Sequence, residues 1–152
     1  MAGFTTAMPT SFKVEILKAT HDFSNPGGDT FKLALGKATA SVVGTYGAST
    51  TNYSNLTGNS DELPNGSGYT TGGNTLTSVT PVADGTTAVC DFANTTWNSA
   101  TFITSGAIIY NSSSSNEAVA VLSFGGNQQV SSGDFTIIFP SPAASTAIIR
   151  IA

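Results

Sequence analysis

Apolar runs alternate with short polar stretches over the last third of the chain. Each run is rich in Ile, Val and Phe, and the spacers NSSSSN and GGNQQVSSGD have the Gly, Ser and Asn content of hairpin loops. This pattern predicts strands of an antiparallel sheet with a turn at each of these two spacers. The four runs are TFITSGAIIY (101–110), EAVAVLSF (117–124), FTIIF (135–139) and AIIRI (147–151).

Two upstream segments extend this β pattern. In Asp29–Leu35, apolar Phe31, Leu33 and Leu35 alternate with Thr, Lys and Ala, which predicts a strand with one buried face because side chains alternate across a strand. The segment Ser41–Tyr46 fits either a short strand or a turn of helix.

A hairpin is predicted between positions 74 and 92. The segment Asn74–Val82 is Thr-rich, and Pro81 indicates an edge strand or a strand end because proline cannot donate to a sheet. The pair Asp84-Gly85 is a hairpin-turn signal. Three residues of the returning strand are expected to face the core: Ala88, Cys90 and Phe92. Downstream, Trp97 is expected to seal a sheet end.

One helix is predicted, over residues 11–21. Phe12 and Ile16 recur at helical spacing and Leu17 adjoins them, with Thr10 or Ser11 as the N-cap. The run Asn-Pro-Gly-Gly at 25–28 prevents the helix from continuing. We expect this helix to plug one open end of a sandwich; the alternative is that the helix and the arm at residues 1–10 reach a neighbouring chain.

The stretch 47–74 is unusually long for a connection in a compact domain. Such loops usually bind a partner or are flexible. Four residues are its sizeable apolar positions: Tyr53, Leu56, Leu63 and Tyr69. The stretch is therefore the first candidate for partner contacts, and the alternative is a surface loop anchored by Leu63 and Tyr69.

Together these segments give seven or eight strands and one short N-terminal α-helix. We predict an all-β fold, an antiparallel β-sandwich with jelly-roll-like topology, and an immunoglobulin-like arrangement as the second choice. Residues 1–152 form one domain, in which 29–152 make the sandwich.

The charge content is low. Asp, Glu, Lys and Arg make up 9% of the chain, against about 25% in an average soluble protein. The five basic residues are scattered and the net charge is -4, so direct nucleic-acid binding is not expected. No signal peptide or apolar span predicts a membrane location. A weakly charged surface suits close packing with other proteins, although a β-rich composition alone could also explain it.

One His and one Cys limit the candidate chemistry. His21 precedes a Pro-Gly break, and we expect a surface residue at the helix end. Cys90 is expected to be a buried, inert thiol. The acids Asp61, Glu62 and Asp84 supply the oxygen ligands that calcium prefers, but without the dense spacing of a calcium loop. We therefore expect no metal, no cofactor and no enzymatic activity.

Three strings are the most specific features of the sequence: GYTTGGNTLT (68–77), DFANTTW (91–97) and GAIIYN (106–111). With the opening TTAMPTSFKVEILKATHDF and the ending AIIRIA, they resemble a group of small structural proteins of tailed bacteriophages. This resemblance covers nearly the whole chain. It implies a virion component made in the cytoplasm of the bacterial host.

Small β-sandwich virion proteins of this kind often serve as capsid cement, also called decoration proteins. The resemblance thus implies a location on the outer capsid surface, with the major capsid protein and other copies of the chain as partners. We expect a homodimer, with a trimer as the alternative. The candidate contact residues are Phe4, Met8 and Phe12 in the arm and helix, and Tyr53, Leu56 and Tyr69 in the long loop.

Two alternatives come from other functional classes. The first is a tail or head-fibre component that binds a receptor or carbohydrate through exposed Tyr and Trp side chains. The second is a hydrolase that uses carboxylates of the loops. Its candidate residues are Asp61, Asp84, Asp91 and Asp134.

Overall fold

A computed structural model describes residues 2–152, which are mostly strand. In chain order the elements are β1 (Gly3–Phe4), α1 (Thr10–Leu17), β2 (Phe31–Leu35), a 3₁₀ turn (Thr39–Ser41), β3 (Thr45–Tyr46), α2 (Ser54–Gly58), β4 (Asn74–Thr75), β5 (Ser78–Asp84), β6 (Thr87–Phe92), β7 (Thr95–Asn111), β8 (Glu117–Ile137) and β9 (Ile149–Ile151). No helix in this part of the chain has the length and apolar character needed to cross a bilayer.

Two antiparallel sheets face each other across the main core. One has the strand order β4-β2-β7-β8 and the other the order β5-β6-β9, while β1 and β3 form a small parallel pair. The all-β sandwich with a short N-terminal helix is confirmed. Its sheets of four, three and two strands differ from the eight strands in two Greek keys that define a jelly roll, because the hairpins β5–β6 and β7–β8 each stay within one sheet.

The centre of the four-stranded sheet, where β2 meets the second half of β7, is buried on both faces. On one face Phe31 lies 5.7 Å, between ring centroids, from Phe92 of the facing sheet and stacks on Phe23 at 4.3 Å. On the other face Ala34 and Ile108 are covered by side chains from the segment 42–56. The prediction of a half-buried β2 is therefore wrong, because the segment 42–56, which follows β2 in the chain, adds a third layer that the alternation in β2 does not reveal.

Strands β7 and β8 form a hairpin that is longer than predicted. The turn at NSSSSN is confirmed, but GGNQQVSSGD continues β8 instead of turning. Between the pairs Gly106↔Ser123 and Thr104↔Gln128, β8 has three more residues than β7. Gly125 and Gly126 absorb this bulge with φ values of 73° and 151°, which favour glycine. Small polar residues suit this stretch because it is an exposed sheet edge.

Helix α1 is shorter than predicted. It ends at Leu17, and Ala19 has a φ of 56°, which is not helical. The N-cap is Pro9, without a side-chain cap, and not Thr10 or Ser11. Phe12 is buried as expected, but Leu17 is 88% exposed. Leu17 lies five positions after Phe12 in the helix, so its side chain points about 140° away from the buried face that Phe12 occupies.

The β5–β6 hairpin is confirmed, with Asp84 paired to Thr87 across the turn. Strand β5 lies at the edge of its sheet, as Pro81 predicted. On β6, Cys90 and Phe92 are buried as expected, but Ala88 is exposed and Val89 is buried in its place. The alternation fails because β6 is buried on both sides over its last four residues.

Candidate functional site

The N-terminal arm is docked on its own chain. Gly3 N–H and Thr5 N–H donate to the carbonyl oxygens of Gly44 and Tyr46 at 2.8 and 2.9 Å. Further along, Ala7 and Val121 exchange backbone hydrogen bonds of 3.0 and 2.9 Å. The arm thus covers part of the outer edge of β8, and the alternative in which it reaches a neighbouring chain does not describe this structure.

Three of the six predicted contact residues belong to the core. Phe12, Leu56 and Tyr69 are 1%, 0% and 2% exposed, so as partner contacts they are wrong. Large side chains in polar segments are anchors here, because the segments fold back over the sheet. Trp97 is likewise buried, between the rings of Tyr69 and Phe135 at 6.2 and 6.1 Å.

The other three predicted contact residues are partly buried and lie apart. Phe4 stacks on Tyr46 with ring centroids 4.8 Å apart. Tyr53, in the long loop, stacks on Tyr110 of β7 with ring centroids 4.4 Å apart. Only Met8 lines an open groove, which is described below. The structure therefore does not bring the six residues together into one surface.

Asp61 holds the third layer together from inside. Its carboxylate accepts hydrogen bonds from Val43 N–H at 3.0 Å, Gly44 N–H at 2.7 Å and Tyr46 Oη–H at 2.6 Å. Burial, followed by the hydrogen bond to Asp61, raises the pKa of Tyr46 well above its usual value. Both carboxylate oxygens of Asp61 are engaged by donors, so its role is structural and not that of a calcium ligand.

Glu62 performs the same task for the next part of the loop. It accepts hydrogen bonds from Tyr53 Oη–H at 2.5 Å, Tyr69 Oη–H at 2.7 Å and Gly72 N–H at 2.6 Å. Burial and, after it, Glu62 raise the pKa of Tyr110 to about 12. Burial and the same carboxylate also raise the pKa values of Tyr53 and Tyr69 well above the usual value, so these two side chains stay protonated as donors to Glu62. Leu63 and Tyr69 anchor the loop, as the alternative interpretation predicted.

The one group of potential metal ligands comprises His21, Glu15 and Glu117, within the part of the chain that the structure describes. Their ligand atoms all lie within 4.8 Å of one another. His21 Nε2 is 2.9 Å from Glu15 Oε2, and the His21 side chain is fully buried. The prediction of a surface histidine is thus wrong, because the chain turns back after α1 and carries His21 under the helix.

Asn111 decides what this cluster can bind. Its Oδ1 accepts hydrogen bonds from Ser113 N–H and Ser114 N–H at 2.9 and 3.2 Å, so its Nδ2 must face His21 Nδ1, at 3.0 Å, and Asp29 Oδ2, at 2.8 Å. Nδ1 is then an acceptor, and the proton of the neutral ring sits on Nε2 and is donated to Glu15.

A metal ion at Nε2 would need the lone pair of that nitrogen. The ring proton would move to Nδ1 and meet the Asn111 N–H, which places two donors face to face. Flipping the amide is unfavourable too, since it would turn Nδ2 toward two backbone N–H groups. The cluster therefore links α1 to the turn between β7 and β8 and does not offer three free ligands.

The remaining candidate carboxylates are engaged at separate places. Asp84 accepts from Ala144 N–H at 2.7 Å, and Asp134 from Ser99 N–H at 3.1 Å. Asp91 accepts from Phe92 N–H at 2.8 Å, while its Oδ2 is buried without a hydrogen-bond partner among the described residues. Next to it, burial and the Asp91 charge raise the pKa of the Cys90 thiol to about 12, and the predicted burial of this thiol is confirmed.

An open apolar groove, the α1–β9 groove, is the candidate functional site. It lies between helix α1 and strand β9, has a volume of about 340 Å³, and is lined mainly by apolar residues. Its apolar lining includes Met8, Ile16 and Leu17 on the helix side and Ile149 and Ile151 on the strand side. Leu17 and Ile151 are 88% and 54% exposed, so solvent reaches apolar surface that a partner would cover.

Basic side chains border this groove. Lys13 and Arg150 are among its lining residues, and exposed Lys18 follows Leu17 directly in the chain. Three of the five basic residues of a chain with net charge -4 therefore lie at or beside one apolar surface. These residues are scattered in the sequence, because positions 13, 18 and 150 meet only in the folded chain.

Two signals in the sequence could have indicated the groove. Leu17 falls off the helical face of Phe12 and Ile16, as the period of 3.6 residues requires. The run AIIRI places the charged residue Arg150 among isoleucines, with Ile149 before it and Ile151 after it.

Comparison with family models, with curated proteins and with solved structures finds no match for this chain.

Proposed function

We propose that this chain is a structural protein of a tailed-phage virion, most specifically a capsid cement protein that binds the outer face of the mature head. The α1–β9 groove is the observation that carries the proposal, because it offers exposed apolar side chains beside a sheet edge. The resemblance of the sequence strings supports the choice of a virion partner. Binding to the mature lattice alone would stabilise the head by mass action.

The alternative of a carbohydrate-binding fibre module has less support. Such a site needs exposed aromatic rings, whereas Trp97 and three of the four tyrosines are buried and Tyr53 is partly buried. The hydrolase alternative needs carboxylates that converge, and the four candidate acids each accept a backbone N–H from a different segment. The homodimer and the trimer stay predictions.

Co-sedimentation with heads of the parent phage tests the proposal. We expect saturable binding to expanded, DNA-free heads and none to unexpanded proheads. The variant Leu17→Gln removes exposed apolar surface from the groove and should weaken binding about tenfold, since burial of a Leu side chain contributes about 1.5–3 kcal/mol.

Val43→Gln is the matched control. Val43 is 70% exposed and does not line the groove, so this variant should bind like the natural protein. Failure of the natural protein to bind either kind of head would overturn the cement proposal. Equal weakening by both variants would show that the groove is not the contact.

A further inference from the structure

We infer that the α1–β9 groove takes an extended acidic segment of the capsid protein, which pairs with β9 as an added strand and alternates apolar residues with carboxylates. The inference rests on the proposed function, because it specifies the chemistry of the capsid segment at the same surface. Three observations carry it: the open edge of β9, the apolar walls and the basic border.

The edge of β9 differs from the other sheet edges. On one side β9 pairs with β6, and its other side has no strand partner among the described residues. Strand β5, the opposite edge, carries Pro81 and a register shift between Val79 and Val82, both of which discourage pairing. The edge of β8 is covered by the arm at Ala7, and beyond that point it is interrupted by the glycine bulge and carries the mostly polar stretch 127–134, which offers a partner little apolar contact. Strand β9 is thus the edge best suited to accept a further strand.

The walls of the groove fit the side chains of an extended segment. A strand beside β9 would direct every second side chain into the space between β9 and α1. Met8, Ile16 and Ile149 line that space, so these inward positions must be apolar. Exposed Leu17 and Ile151 would lose contact with water when the groove is filled.

The charges select an acidic partner. Arg150 donates one N–H to the Ala144 carbonyl oxygen at 3.2 Å, and its other guanidinium N–H groups are available to a ligand. Lys13 lines the groove and makes no ion pair among the described residues, where the only such contact joins His21 and Glu15. Carboxylates at the outward positions of an added strand would therefore meet unpaired cations.

The same charges argue against a second copy of this chain as the occupant. Strand β9 has three residues with Arg150 in the middle. Antiparallel pairing of two β9 strands about a two-fold axis, in the register that pairs all three residues, would place one Arg150 opposite the other, and like charges in directly opposed positions destabilise a sheet. A partner strand with carboxylates has no such conflict.

Two synthetic peptides test the inference on the full chain. One alternates Glu with Val over roughly eight residues, a typical strand length, and the other replaces each Glu by Lys. Binding is measured by fluorescence anisotropy, and the contact is located from backbone amide shifts in NMR spectra. We expect the Glu peptide to bind at least about tenfold tighter than the Lys peptide, with the largest shifts at Ile149–Ile151.

Charge reversals give the matched variants. Arg150→Glu and, separately, Lys13→Glu should each abolish the preference for the Glu peptide. The double variant Gln129→Glu with Ser131→Glu makes the same change in net charge on exposed positions of β8, and it should keep the preference. Testing Lys13 as well guards against a folding defect from loss of the Arg150 contact to Ala144.

Equal affinity for both peptides, or shifts away from β9, would overturn the inference. Reversible self-association that protects β9 in place of peptide binding would overturn it too, by showing that a second copy fills the groove. If the protein binds heads and Leu17→Gln weakens that binding, but the Glu peptide does not bind the protein, only this inference fails. If the natural protein does not bind heads, the proposed function fails, whatever the peptides do.

Discussion

At the scale of single residues, acidic side chains in this protein mostly serve as internal acceptors. Asp61 and Glu62 are adjacent in sequence, yet each binds a different part of the third layer through three donors. Hydrogen bonds to charged groups contribute about 1.5–3 kcal/mol each. Sequence alone could not separate this role from calcium binding, because both need the same oxygen atoms and differ only in which donors the fold supplies.

Asp91 is only half satisfied, since one of its carboxylate oxygens is buried without a hydrogen-bond partner among the described residues, and it gives a pH-dependent prediction. Burial raises the pKa of Asp91 in the folded chain above its ordinary value, so the folded state binds a proton more readily than the unfolded state. Stability then falls as the pH rises through the folded pKa. Asp91→Asn keeps an acceptor for Phe92 N–H and places a neutral amide nitrogen where the unpartnered Oδ2 lies. Because burying an unpaired neutral amide costs less than burying an unpaired carboxylate, the variant should raise the free energy of unfolding at about pH 7 by about 1 kcal/mol.

Urea unfolding at several pH values checks this, and Asp134→Asn is the control. Asp134 is exposed and also accepts a single backbone N–H. We expect the gain from Asp91→Asn to shrink as the pH approaches about 4, while the control changes little at any pH. A gain that is constant across the pH range would contradict the assignment to the Asp91 charge.

At the scale of elements, strands with strong apolar patterns and two of the turns between them were predictable, and the extent of the β7–β8 hairpin was not. The sequence places the β5–β6 turn and the turn between β7 and β8 correctly, because Asp-Gly and a run of Ser and Asn have direct turn chemistry. The bulge at Gly125 has the same composition as a turn. What makes it strand is the pairing of Gln128 with Thr104, a long-range contact that no local pattern encodes.

The docking of β1 on the main sheet gives a second prediction. Gly106 lies under the ring of Phe4, and a Cβ there would overlap that ring and stand 2.6 Å from the carbonyl oxygen of Leu122. Because the second contact is with backbone of the neighbouring strand, moving Phe4 cannot relieve it. Gly106→Ala should therefore lower the free energy of unfolding by about 1–3 kcal/mol.

Gly58→Ala is the control for this substitution. Gly58 is the last residue of α2 and a Cβ there meets nothing within 4 Å, so its replacement should leave stability unchanged or raise it by up to about 1 kcal/mol. Chemical denaturation of both variants measures the difference. Similar stability of the two variants would contradict the close packing of Phe4 on the sheet.

At the scale of the whole molecule, the three layers explain which predictions could not succeed. The sequence predicts two layers, and under that assumption Leu56 and Tyr69 are free loop residues available to a partner. In the structure Leu56 is buried in the third layer, and Tyr69 is buried in the main core, where its hydroxyl donates to Glu62. The partner surface that we propose is instead the α1–β9 groove, where residues from the two ends of the chain meet. Patterns within one segment carry no information about such a meeting.

The layers also predict how stability is distributed. The amides of Ile108 and Ile109 lie in β7 between β2 and β8 and under both covering layers, so their hydrogen exchange should require global unfolding. Residues 125–134 of β8 form an exposed edge and should exchange through local opening, many times faster. Amide exchange followed by NMR checks this order. Equal protection of the two regions would show that the distal half of the β7–β8 hairpin unfolds only together with the core.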